Sequence, residues 1–303
     1  MGVTLSVMFA LAALGTAVPA GAADTGGRAA ASTVLAVTGT PRTTPRTAPV
    51  PTVAPGIRGG DLSWPNCPKG MGVPGRRTQG LPLPWATAKY WILGLTNGRA
   101  FTRNPCLAWQ LGVARQRGML ASAYTMLSYP NKAERARHGA TGPFGTATYA
   151  DRIANVGYAQ TAFTLDTMGA AGLASPFVWV DVEPRAERAW SKNVANNQAL
   201  IRGALQAITE RGLAAGIYTY ALAWSKITGG LQLDVPLWAP GHSRARTFAG
   251  KRAQSVASCA RASFTGGPLV LTQWVWQNRD HDVVCPAIAA VTTPLWVDLA
   301  VSA

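Results

Sequence analysis

The sequence predicts an α/β protein, a compact (βα)8, TIM-like barrel, and three observations predict it. Eight short apolar runs follow residue 58, at 59–63, 90–95, 119–124, 177–182, 215–220, 235–239, 269–276 and 281–284. Helix-like segments separate several of them, and strand, helix, strand in this order argues for a parallel sheet. The runs are almost continuously hydrophobic, as strands are when both faces are covered. Eight such units in about 230 residues fit a barrel on the small side of its class.

The helices have recognisable ends. Asn104-Pro105 offers a capping side chain followed by Pro in the first turn, and Arg117-Gly118 stops that helix before the third run. Residues 148–171 are long and Ala-rich and end at Gly172. Residues 196–211 carry Leu200, Ala204, Leu205 and Ile208 at helical spacing and end at Gly212. Helical signal fades between 239 and 268. A doubly wound open sheet is the rival arrangement, but it would want a glycine-rich phosphate turn after its first strand, and "GGDLSWPN" is not one.

The ends of the chain read differently. Residues 1–23 hold an apolar segment from Val3 to Val18, then Ala20-Gly21-Ala22-Ala23, and are expected to be a signal peptide. An uncleaved anchor is the alternative, though the apolar run is shorter than the ~20 residues a spanning helix needs. Residues 24–56, rich in Thr, Pro and Ala, predict a disordered linker, since they bury too little to offset ordering entropy. The barrel domain is placed at 57–290 and a C-terminal extension at 291–303. No later segment looks transmembrane, and a secreted or wall-associated monomer is expected.

Cys67, Cys106, Cys259 and Cys285 are even in number and widely spaced, without the CxxC pairs of a zinc site. Four cysteines allow three pairings. Cys67 with Cys106 and Cys259 with Cys285 is favoured, each pair closing a loop within one half of the chain; buried free thiols are the alternative. The formal net charge of +15 is spread along the chain. It suits wall polymers or acidic lipids, or simply an Arg-rich surface. No basic helix with stacking aromatics argues for nucleic acid.

Acids are scarce, 13 against 28 basic residues, yet they fall where the strands end. The ends carry Asp61, Asn97, Tyr124, Asp181 with Glu183, Tyr218 with Tyr220, Trp238, Gln273 and Asp282. Rings stack on sugars, and carboxylates manage protons and developing positive charge, so this set suits glycoside chemistry. Alternation puts Asp181 and Glu183 on one side of their strand with Cα atoms roughly 6.5–7 Å apart. One could protonate a leaving oxygen while the other stabilises or attacks the anomeric carbon. The alternative is two solvated acids paired with Arg185 or Arg188. HExxH, P-loop and GxSxG motifs are absent, "GHSRA" lacking the second glycine, and no metal or cofactor is implied.

The order of motifs resembles glycoside hydrolase family 25, the lysozyme-like muramidases that cut peptidoglycan. "GGDLSW" resembles the family's opening Asp-x-Ser strand, "LASAYTML" its third strand with Ser122 in place of Gly, and "VWVDVEP" its Asp-x-Glu strand. "AGIYTY", "LWAP", "LTQW" and "DHDVV" are similar to the strands that follow, so the likeness runs over about 57–290. It implies Glu183 as proton donor and Asp181 as the carboxylate that stabilises the transition state or orients the acetamido group. Asp61 and Asp282 would floor the groove, with Asp298 a second candidate for the last acid. Tyr124 would contact the sugar, and Tyr220, Trp238, Gln273 and Asn97 are the further candidates for contact with wall glycan. "GLTNG" departs from the family's frequent acid, and "WPNCPKG" with "NPC" adds a disulfide. These features look closer to the glycoside-hydrolase-like barrels of actinobacterial secreted proteins, some without established activity. A barrel that binds envelope glycan without turnover is therefore the alternative function.

Overall fold

The computed structural model describes residues 51–184, 188–241 and 244–300. The expected signal segment, the linker up to residue 50, Arg185 and His242 lie outside them. Eight strands close on themselves: β1 (Arg58–Leu62), β2 (Tyr90–Gly94), β3 (Leu120–Met126), β4 (Phe177–Asp181), β5 (Ala214–Tyr218), β6 (Leu237–Pro240), β7 (Leu269–Trp276) and β8 (Arg279–Val284). The expected barrel of the α/β class is present, β2 pairing with both β1 and β3 to complete the circle.

Its helices lie between β2 and β7. They are α1 (Leu107–Gln116), α2 (Lys132–His138), α3 (Tyr149–Ala170), α4 (Val194–Glu210), α5 (Ala221–Thr228) and α6 (Phe248–Ser258). Caps set several starts: Thr148 accepts from Asp151 N while the Asp151 side chain bonds back, and Asn193 accepts from Asn196 N. Asn104 does not open α1. It bonds to Gly94 O at 2.7 Å and takes the Cys106 amide at 3.1 Å, and the helix begins at Leu107.

The last strand departs from the repeating unit. β8 runs antiparallel to both β7 and β1, because β7 and β8 are joined through Gln277-Asn278 alone. A parallel return needs a crossover of roughly 10–12 residues or more. Gln277 and Asn278 have φ of 51° and 55°, the positive pair that a two-residue hairpin turn demands. The top of β8 is therefore its N-terminal end, which decides where its acids go.

Alternation divides the packing into two layers. Val178 and Val180 of β4, and Val182 just beyond it, face the helices with Leu200, Ile201 and Ile208. Phe177 and Trp179 face into the barrel with Tyr90, Ile92, Trp238 and Trp296. Large rings fit inside because facing strands supply glycines. A Cβ on Gly216 would stand 2.5 Å from the Trp179 ring, and one on Gly94 would stand 2.7 Å from Tyr124 Cζ. The interior is thus packed, and not a pore.

After β8, β9 (Val297–Asp298) pairs with the first two residues of β3, and Leu295, Trp296 and Leu299 are buried. Both disulfides form, Cys67–Cys106 and Cys259–Cys285, with Cα atoms 5.7 and 5.3 Å apart. Among the described residues no helix is long and apolar enough to cross a membrane.

Candidate functional site

A cavity of about 380 Å³ opens at the end of the barrel where the parallel strands finish. Four acids line it: Asp61 from β1, Asp181 ending β4, Glu183 two residues on, and Asp280 near the start of β8. Tyr124, Tyr218, Trp238 and Trp64 supply rings, and Gln273 and Ser63 supply polar contacts.

The stretch that carries Asp181 and Glu183 is held from both sides. Leu127 N donates to Asp181 O at 3.1 Å, Val182 N to Tyr218 O at 2.9 Å, and Thr219 Oγ1 to Val182 O at 2.7 Å. Just beyond the strand, Trp190 Nε1 donates to Glu183 O at 2.8 Å. A backbone fixed on two neighbours keeps side chains two positions apart on one face, which orients both towards the cavity. Arg188 ion-pairs with Glu134 of α2 at 2.6 Å.

Below the mouth runs a chain of buried contacts. Tyr218 Oη donates to Gln273 Oε1 at 2.7 Å, and Gln273 Nε2 donates to Asp61 Oδ2 at 2.6 Å. Trp238 Nε1 donates to Asp282 Oδ1 at 2.9 Å. Asp282 Oδ2 meets no amide or hydroxyl donor, and the Asp61 and Asp282 carboxyls stand within hydrogen-bonding reach of one another. Burial raises both well above the usual carboxylate range, with the Asp280 charge adding to it. The two carboxyls are hydrogen-bonded to one another, so they titrate as a pair. Asp280 is pushed up to about 6, first by burial and then by the charge of Glu183. Burial likewise raises Tyr124 and Tyr218, which stay neutral hydrogen-bonding phenols.

The structure brings together Asp61, Asp181, Glu183, Tyr124, Trp238 and Gln273 from the residues expected of the sequence. It does not bring in the other three. Asp282 is fully buried one layer down, opposite Gly59 and Gln273, because β8 is reversed and Asp280 is the inward acid at its upper end. Asn97 is buried behind the rim, where its side chain accepts from Val73 N at 3.1 Å and donates to Arg76 O at 3.3 Å, bracing the loop after β1. Tyr220 precedes α5 and lines a different pocket with Pro240, Arg261 and Phe264. Asp298 lies opposite Leu120, the first residue of β3, at the far end of the barrel.

Asp280 and Trp64 are the site residues that the strand-end reading missed. Asp280 could have been found by counting: too few residues separate the seventh and eighth runs for a helical return. Among the described residues, no cluster of three or more His, Cys, Asp or Glu is arranged to hold a metal ion.

A family model described as Lysozyme-like protein 1 matches residues 125–245, which contain Asp181, Glu183, Tyr218 and Trp238. Over those residues the chain is similar to lysozyme-like proteins. No curated protein matches it. Solved structures similar to it include the bacterial lysozyme of Streptomyces coelicolor, at 15% identity over 82% of this chain and 97% of that one, with a TM-score of 0.49. A family GH25 lysozyme from Aspergillus fumigatus matches at 13% identity over 75% and 93%, TM-score 0.47. A muramidase from Trichobolus zukalii matches at 15% over 75% and 93%, TM-score 0.46.

Proposed function

We propose that the protein is a secreted glycosidase acting on peptidoglycan or a related cell-wall glycan. The observation that carries this reading is the convergence of Asp61, Asp181, Glu183 and Asp280 with Tyr124, Trp64 and Trp238 around one cavity at the mouth of the barrel. Glu183 is the general acid: it stands beyond the strand end, where it can reach a glycosidic oxygen. Asp181, deeper and two positions back, is the carboxylate that faces the anomeric centre and offsets its developing positive charge. Asp280 lies close enough to Glu183 to feel its charge, and burial together with that charge lets Asp280 hold a proton at the mouth up to a pH of about 6. Asp61, whose pKa burial raises well above the usual carboxylate range, is tied to Gln273 and offers hydrogen bonds to the glycan. Both disulfides and the apolar first segment support secretion.

The test is release of reducing ends from purified peptidoglycan by the full chain and by Glu183→Gln. Removal of a general acid costs about 10²–10⁴ in rate. The expected result is a loss of that size with an unchanged melting temperature. Equal release by the variant would exclude Glu183 as the acid. No release by either protein, with glycan still bound, would make the barrel a binding module.

A further inference from the structure

The cavity holds acids, yet the face around it is basic. Five of the chain's 13 acidic residues, Asp61, Asp181, Glu183, Asp280 and Asp282, lie in the cavity or directly beneath it. Of the others, Glu134 is bonded to Arg188 and Asp166 to Arg211, while Asp151 caps α3. The 28 basic residues therefore have few carboxylates to neutralise them outside the mouth.

Topology gathers many of these cations at the end where the cavity opens. Lys69 and Arg77 lie in the connection leaving β1, Arg103 in that leaving β2, Lys132 and Arg137 on α2 after β3, and Arg246 in the connection leaving β6; all six are exposed. Some are braced. Arg77 Nη1 donates to Gly72 O at 2.6 Å, and the Arg103 guanidinium lies 5.6 Å from the centre of the Phe163 ring. A guanidinium stacked on a ring keeps its donor edges available to anions. The Cys67–Cys106 disulfide ties the β1 and β2 connections to one another, so this sector of the rim is fixed before anything binds.

We infer that this cationic rim grips an anionic polymer, so that the substrate is a glycan strand whose flanking units carry phosphodiester or carboxylate groups. The inference rests on the proposed action at the same face. The acids in the cavity meet the sugar units at the cut, and the rim meets the charges borne on either side. Fields of one sign around a cleft concentrate a ligand of the other sign and fade with salt.

Co-sedimentation of the full chain with purified insoluble wall tests this, at salt concentrations of about 50 and about 500 mM, where the screening length falls to a few ångströms. Binding should weaken about tenfold or more at the higher salt. The triple variant Arg77→Glu, Arg103→Glu, Arg137→Glu should show a comparable loss at low salt with an unchanged melting temperature. Sedimentation reads binding alone, so failure to release reducing ends would count against the glycosidase reading and leave this one standing. Weaker binding to wall stripped of phosphodiesters with hydrofluoric acid would support the inference and name phosphodiesters. Weaker binding to wall with amidated carboxyls would support it and name carboxylates. Binding that ignores salt, a triple variant that binds normally, or no binding by the wild type at low salt would overturn it.

Discussion

The two ends of the barrel interior are built from the same strands and do opposite work. At the lower end Tyr90, Phe177, Trp179 and Trp296 pack ring against ring, with Phe177 and Trp179 centroids 4.8 Å apart and Tyr90 and Trp296 4.4 Å apart. At the upper end the inward positions of those strands become Asp61, Tyr124, Asp181, Tyr218 and Asp280. Along β4 the change takes five residues, from Phe177 through Trp179 to Asp181. Apolar burial below supplies the free energy that lets the upper layer hold charges close together, which burial alone would oppose.

Breaking the lower layer should show itself in stability first. Trp179→Ala removes a fully buried ring from the middle of the interior and should cost about 3–5 kcal/mol, read as a large drop in denaturation midpoint. A smaller effect of opposite sign is expected between the layers. Asp282 has a folded-state pKa raised by burial, so the folded chain binds its proton more tightly than the unfolded chain does. Its contribution is full below a pH of about 4 and is lost as pH rises. Asp282→Asn should therefore stabilise the protein by about 1–3 kcal/mol at pH 8 and by less at pH 4, measured by chemical denaturation at both. The smallest effect sharpens the boundary itself: Gly216→Ala pushes a methyl against Trp179 and should cost about 1–3 kcal/mol. Loss of wall cleavage in that variant while it remains fully folded at the assay temperature would show that the floor and mouth are not separable.

The sequence shows the lower end and most of the upper one for the same reason. Continuous apolar runs ending in Asp or Glu mark strand, direction and exit together, as "VWVDVEP" does for Asp181 and Glu183. The eighth strand was legible in position and not in direction. "WQNRD" lacks the Asn-Gly or Asp-Gly turn that announces a hairpin, so Asp282 looked like the exit residue when Asp280 holds that place. Tyr220 and Asn97 misled differently, since they follow the ends of their strands by two and three residues. At that distance alternation has ended, and side-chain direction is set by contacts distant in the chain: Asn97 turns to Val73 and Arg76. The cationic rim could be counted in the sequence, but its gathering at one end depends on which connections lie above the strands.

The placement of Asp280 beside Glu183 is the feature that joins the reversed strand to the chemistry, and the pH dependence of wall cleavage tests it most directly. With the wild type, activity should fall as pH rises through about 6, where Asp280 gives up the proton that it holds in the field of Glu183. Asp280→Asn removes the group that titrates there, so the limb near pH 6 should be lost. Profiles of the two proteins that superimpose, or a wild-type limb far above neutral pH, would contradict the account.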